Sequence, residues 1–433
     1  MHLALVTERV PASPWHAEHL AAPLVAALAR RGHRIDLVCE SFDDDRLPIP
    51  SGVTVHPRRG CCLRSATRPW ALRDFARTRI DALGPETALS LTRLLAAPVW
   101  MPIVPSASTA AGRALRLRGF EPLIREARSL PLTATKGLLE TFARGDHYGV
   151  RRLLTFGPRA AEAARTELPL YRDRVADVGF VPLTARPDEA RRFELRNRLR
   201  RALQIEPDST VILLSAPLGM QRDLAGPLEA AAHLYRQAGR RAPVLVIASM
   251  DPYAVHDAAL RVEAHQVVRL AGVTARPEAL LCAADLVAAW ARGPLHAFAA
   301  GSASRLIAES LAFGLPVLAD RLAPGAELIA DVRERRAPGD TAPAAPGLLV
   351  DGPASLAWYI ALQSAADPAW LAAARAHAAI RAAGFAPDAD GATPLERLAV
   401  RLESELTAAA GHRTAPGALP SPPNSPALNT PTA

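Results

Sequence analysis

Lysine is almost absent from this chain: Lys136 stands alone, and every other basic residue is arginine. Cysteine is scarce as well, with only Cys39, Cys61, Cys62 and Cys282. Those four show no metal-ligand spacing, and the adjacent pair Cys61-Cys62 is too close for an ordinary disulfide. A disulfide framework is therefore excluded and reduced thiols are expected. No apolar run reaches the roughly 18–20 residues that a bilayer crossing needs. The opening stretch, Met1 to Val6, is apolar but short, and Glu8 and Arg9 interrupt it. That rules against a signal peptide and sets a cytoplasmic location as the expectation. No arginine run is interleaved with aromatics, which argues against a single-stranded nucleic-acid groove. The net charge of +8 is accordingly discounted as a nucleic-acid signal. Abundant alanine, proline and arginine throughout suggest a GC-rich genome instead. Two local basic clusters remain, Arg58 to Arg79 (against Asp74 alone) and Arg113 to Arg128. They could face anionic lipid on the inner face of a membrane, or a phosphorylated acceptor. A solvated arginine-rich surface explains them more simply.

A chain of 433 residues, 49% hydrophobic and 22% charged, is long enough for two domains with ample core. Apolar runs and helical periodicities alternate along it. His2 to Thr7 reads as a strand, Ala17 to Ala29 as a helix, and Ile35 to Cys39 as the next strand, with Arg31-Gly32-His33 as the turn. Such a unit is a parallel βαβ element. Further strands are expected at 53–56, 87–91, 151–155 and 177–181, with mostly helical sequence at 106–146. A charge-rich helix at 183–207 suits a linker. A second series follows, with strands at 210–215, 244–248, 267–270, 286–290, 316–319 and 347–350. Two doubly wound α/β domains are expected, 1–182 and 208–390. A helix at 391–411 and a proline- and serine-rich disordered tail at 412–433 complete the chain.

The most informative stretch is 301–320. A helix carrying one acid, Glu309, ends at Gly314, and the strand Pro316 to Ala319 follows at once. The run Glu309-Ser310-Leu311-Ala312-Phe313-Gly314-Leu315-Pro316-Val317 resembles the donor motif of GT-B glycosyltransferases, family 4. The resemblance extends in order and spacing over 205–385. Val267 to Val273 is similar to the strand leading to the base-binding loop, and Leu280 to Leu286 to the helix end before the next strand. Gly347 to Val350 follows in place. Residues 70–182 resemble bacterial lipopolysaccharide-core glucosyltransferases in element order.

This resemblance implies a GT-B architecture, two Rossmann-like domains facing each other across a cleft. It implies a retaining transferase that takes a sugar from a nucleotide-sugar co-substrate to a cell-envelope glycan or lipid acceptor, with no cofactor and no metal. Glu309 would hydrogen-bond the nucleotide ribose. Gly219, Gly272, Val273, Arg305 and Leu306 would line the donor pocket. Counting back from Pro227-Leu228-Glu229-Ala230 puts the family's phosphate-binding lysine on Arg222, whose guanidinium suits that contact. Glu327 is either a second cleft residue or a helix cap.

Several family positions are filled differently. The glutamate eight residues before Glu309 is replaced by Gly301. The glycine pair after the first strand is Trp15 and His16, and the arginine beside the family lysine is Gln221. The acceptor-side acid or histidine falls at 90–98, where Thr92 and Arg93 are the candidates. His16 and Glu18 could serve as polar cleft residues, or simply belong to a surface helix. Two functions stay open: active transfer, or a degenerate homologue that binds nucleotide-sugar or acts as a scaffold. A periplasmic-type two-lobed binding protein explains the motif order less well.

Overall fold

The computed structural model describes residues 1–10, 17–42, 48–58, 68–92, 97–103, 150–167, 169–216, 224–249, 252–272, 276–289, 302–321, 325–329, 345–350 and 355–411. Two all-parallel sheets organise them. The first contains β1 (His2–Val10), β2 (Arg34–Phe42), β3 (Val53–Pro57), β4 (Thr87–Ser90), β5 (Val99–Trp100), β6 (Arg152–Thr155) and β7 (Val175–Asp177). Its strand order is β3-β2-β1-β4-β5-β6-β7. The second contains β8 (Val211–Ala216), β9 (Val244–Ser249), β10 (Val268–Ala271), β11 (Leu286–Ala289), β12 (Val317–Asp320) and β13 (Gly347–Val350). Its order is β10-β9-β8-β11-β12-β13. Both sheets grow in one direction from their first strand and then in the other. That reversal marks a crevice at the carboxyl ends of β1 and β4, and another at β8 and β11.

The strand sequences explain why both faces are covered. In β8, Val211 and Leu213 feed one core while Ile212 and Leu214 feed another. β9 divides the same way, with Val246 and Ala248 on one side and Leu245 and Ile247 on the other. A near-continuous apolar strand is what a parallel sheet buried on two faces requires. In the first half, α1 (Ala21–Arg30) packs Leu24, Val25 and Leu28 on β1 and β2. It stops where Gly32 takes φ 84°, a conformation that glycine adopts without a Cβ clash. On the opposite face lies α2 (Arg68–Leu83), which brings Ala76 against Val6 and Val38.

Four departures from the sequence expectations have local causes. The last strand of the first sheet is Val175–Asp177, not 177–181. Asp177 ends it, because Oδ1 accepts the Gly157 and Gly179 amides at 2.7 and 2.8 Å and turns the chain. The two-residue strand β5 carries no periodicity that a sequence reading can detect. Two helices were not expected, Pro252–Arg261 and Pro368–Ala382, the second begun by an Asp367 N-cap and Pro368. The segment 106–146, the Asp43 to Asp45 run and the arginines from 113 to 128 lie outside the described residues.

We number the remaining helices α3 (Pro158–Glu167), α4 (Glu189–Ala202), α5 (Ala225–Ala238), α6 (Pro252–Arg261), α7 (Pro277–Ala283), α8 (Ser302–Ala312), α9 (Ser355–Ala366), α10 (Pro368–Ala382) and α11 (Pro394–Ala410). The final helix returns to the first half. α11 opens with a capping box between Thr393 and Glu396. Its Leu398, Leu402 and Leu406 are buried in the core of the first sheet with Leu3, Leu24 and Leu28. Arg31 bonds Glu403 at 2.7 Å through Nε, Arg152 pairs with Glu405 at 2.9 Å, and Arg151 reaches the Ala409 carbonyl at 2.6 Å. No described helix is long and apolar enough to cross a membrane.

Candidate functional site

Several residues named in the sequence come, in chain order, after the strands at the two reversal points. Gly219, Gln221 and Arg222 follow β8, Gly301 follows β11, and Trp15 and His16 follow β1. All lie outside the described residues, as do Val273 and Arg93. Glu18 belongs to the short 3₁₀ helix Ala17–Leu20 that precedes α1. Gly272 is exposed directly after β10. Thr92 is buried at the end of β4; its hydroxyl bonds that of Ser90 at 3.1 Å, and its carbonyl accepts the Trp100 indole N–H at 2.6 Å. Of the first basic cluster, Arg73 is buried and Arg79 stacks over Phe75 at 5.6 Å.

Glu309 lies on α8, one turn before the helix end. It is 3% exposed. Its Oε1 accepts the Leu183 amide at 3.4 Å, and Thr184 bonds the same carboxylate. Leu183 and Thr184 belong to the strap leading from β7 to α4, where the first half passes into the second. Arg305, one turn earlier on α8, lies 3.6 Å from Glu309 and is largely buried. Burial pushes the Glu309 carboxyl above the usual range, against the pull of Arg305. Burial also lowers Arg305. Leu306 points into the core rather than toward solvent. The acid singled out in the sequence is thus held at the junction of the two halves.

Glu327 sits at a second junction. It follows Gly325, whose φ is 89°, in a 3₁₀ turn. Its Oε2 accepts the Gly325 amide at 3.1 Å and its Oε1 accepts the Arg159 amide at 3.4 Å. Arg159 is in the first turn of α3, in the other half of the chain, and its side chain donates to the Arg321 carbonyl at 2.9 Å. A carboxylate at the amino end of a helix is favoured by the helix dipole. Burial pushes Glu327 up, against these bonds. A Cβ on Gly157, where φ is 92°, would come within 2.9 Å of the same carboxylate and 2.1 Å of the Phe180 ring. The geometry therefore fits a cap that also bridges the halves.

The sequence reading missed the tightest polar cluster. Asp285, just before β11, accepts Arg196 at 2.8 Å, Arg200 at 2.6 Å and the Val211 amide at 2.8 Å, and it also pairs with Arg375. Arg200 is 4% exposed and also donates to the carbonyls of Ala283, Pro207 and Ser209. Burial pushes Asp285 up, but Arg196, Arg200 and the Val211 amide outweigh it and hold the carboxyl below its usual value. The signal was present: Arg196 and Arg200 lie four apart, on one face of a helix. Among the described residues, no group of three or more His, Cys, Asp or Glu side chains could hold a metal ion.

Two Rossmann-like sheets, joined by a strap and tied back by a terminal helix, define a two-domain α/β architecture. The same architecture occurs in WaaG, a glycosyltransferase involved in lipopolysaccharide biosynthesis. That structure is 16% identical, with a TM-score of 0.68 over 94% of this chain and 99% of that one. The catalytic domain of starch synthase IV from Arabidopsis thaliana, bound to ADP and acarbose, is 12% identical with a TM-score of 0.56, over 95% and 99%. The N-terminal domain of Candida albicans trehalose-6-phosphate phosphatase is 12% identical with a TM-score of 0.59, over 94% and 96%. These matches span both halves, so the chain has the GT-B fold. No family model matches the chain, and no curated protein matches it by sequence.

Proposed function

We propose that this protein is a GT-B glycosyltransferase. It takes a sugar from a nucleotide-sugar, with retention, and delivers it to a cell-envelope glycan or lipid acceptor. The observation that carries this reading is the likeness to WaaG over 94% of the chain. The position of Glu309 supports it, on the helix before β12 and beside the strap between the halves. In this reading Glu309 holds the nucleotide ribose, with Gly219, Gly272, Val273 and Arg305 around the donor, while Leu306, also named from the motif, packs in the core instead. Arg222 neutralises the charge that develops on the leaving diphosphate, where a preorganised cation has its largest effect. No cofactor enters the reaction, and the basic first half meets the inner face of the cytoplasmic membrane.

A second reading, nucleotide-sugar binding without transfer, rests on a specific observation. The Glu309 carboxylate is already engaged by Leu183, Thr184 and Arg305, and its partner position in the motif is Gly301. One experiment separates the two. The protein is incubated with a panel of nucleotide-sugars, while nucleoside diphosphate binding is followed by thermal shift. Transfer is expected if the motif is competent. Absence of hydrolysis and transfer with every donor, beside a retained diphosphate shift, would overturn transfer and leave binding. Glu309→Ala is expected to weaken diphosphate binding; an unchanged affinity removes Glu309 from the site.

A further inference from the structure

A pocket of about 570 Å³ opens on the edge of the second sheet that the cleft does not use. Ala284 and Asp285 lead directly into β11, and Gly314 and Leu315 lead into β12; all four line the pocket. It therefore lies at the amino ends of the strands, opposite the crevice at their carboxyl ends. The rest of its wall comes from the strap and α4, through Arg186, Arg192 and Arg196, and from α10, through Arg375.

The lining sets four guanidinium groups, Arg186, Arg192, Arg196 and Arg375, against two carboxylates, Asp285 and Glu189. Asp285 is shared among Arg196, Arg200 and Arg375, so one carboxylate faces three guanidinium groups. Arg192 is partly buried, and its side chain has no hydrogen bond or ion pair among the described residues. Arg186, at the rim, has none either. Burial lowers the Arg192 guanidinium, and Arg186, Arg196 and Arg375 repel it further. Like charges converging in a concavity are unfavourable unless an anion joins them. Guanidinium forks match phosphate oxygens in charge and geometry, which lysine ammonium groups do less well. Phe193 stands beside them 68% exposed, an apolar surface for the organic part of such an anion.

We propose that this pocket binds a phosphomonoester, through Arg186 and Arg192 with Arg196 and Arg375 behind them. The site is separate from the nucleotide cleft and does not depend on the transfer reading. Three of its arginines lie on the segment joining the halves, so an occupant would brace that segment against the second sheet. The phosphomonoester could be a soluble metabolite or the headgroup of a lipid.

The test uses the full chain without nucleotide, whose own terminal phosphate would compete for the same arginines. Glycerol 3-phosphate is titrated by calorimetry. Separately, phosphatidylcholine vesicles with and without phosphatidic acid are sedimented with the protein. Binding is expected in at least one arm, and the arm that responds identifies the source. The double substitution Arg186→Ala, Arg192→Ala is expected to weaken that binding by about a hundredfold, since each lost charge-assisted bond counts for roughly tenfold. Arg240→Ala, an exposed arginine elsewhere, is expected to change nothing. A second readout needs no variant: phenylglyoxal labelling of Arg192, followed by mass spectrometry, should fall when the phosphomonoester is present. Failure of both binding arms, wild-type affinity in the double variant, or equal labelling of Arg192 with and without ligand would each overturn the proposal.

Discussion

Replacing Asp285 with alanine should unsettle the second half more than any single surface change. The carboxylate holds the Val211 amide at 2.8 Å, and so fixes the start of β8, the central strand of its sheet. It also compensates Arg200, whose side chain is 5% exposed. Removing one partner of a buried ion pair costs about 3–5 kcal/mol. Arg200 keeps three carbonyl acceptors in the variant, which moves the ion-pair loss to about 3 kcal/mol, the low end of that range. The unpaired Val211 amide adds about 1 kcal/mol. Arg196 and Arg375, with side chains 31% and 43% exposed, are discounted to near zero because water screens them. The sum is about 4 kcal/mol. Urea denaturation followed by a probe in the second half measures it, and hydrogen exchange at Val211 reports the same loss locally. The effect also carries a pH signature. Asp285 titrates below its usual value in the folded chain, so its contribution is fully present above the unfolded aspartate value near 4. It is lost as pH falls through the lower folded value. The gap between wild type and Asp285→Asn should therefore close on acidification. A loss under about 1 kcal/mol for the alanine variant, or a gap independent of pH down to about 3, would refute this account of the cluster.

Three further outcomes follow from other contacts. Leu402→Ala empties part of the contact between α11 and the first sheet, where Leu402 is fully buried; a loss of about 2–5 kcal/mol is expected by chemical denaturation. Gly347→Ala would put a Cβ 1.9 Å from the Val317 carbonyl oxygen, in the backbone of the paired strand. Backbone cannot swing aside as a side chain can, so faster amide exchange across β12 and β13 is expected, and unchanged exchange would contradict the pairing. Trp100→Phe removes the indole donor from the Thr92 carbonyl in a buried site, costing about 1–3 kcal/mol and read from the thermal midpoint.

Much of the fold was legible because parallel strands announce themselves. β8, β9 and β13 are apolar runs bounded by turns, and they fell within a residue or so of their expected positions. β5 was invisible, since two residues between other elements carry no period. The end of β7 was misplaced because a side-chain turn at Asp177, not an apolar boundary, stops it. α4 read as a linker because its surface is crowded with charge. In the structure Leu195 packs into the core of the second half, and Arg200 is buried against Asp285. The motif singled out Glu309 before the Gly314 turn, and the structure holds that acid beside the strap at Leu183. The ion cluster at Asp285 escaped because its members lie some 80 to 90 positions apart, as in the separation of 89 between Arg196 and Asp285.

The sequence by itself determined the alternation of strands and helices, the two-sided burial of the second sheet, and the local signals that start and stop its helices. Those follow from hydrophobic period, glycine and capping residues, all of which act within a few positions of one another. Only the tertiary structure decided that α11 closes the first half, that Glu327 caps a helix of the opposite half, and that Glu309 faces the strap rather than open water. Each of these depends on groups distant in the chain meeting in a low-dielectric space. There, burial and pairing set both the charge state and the partners, and no local pattern encodes them.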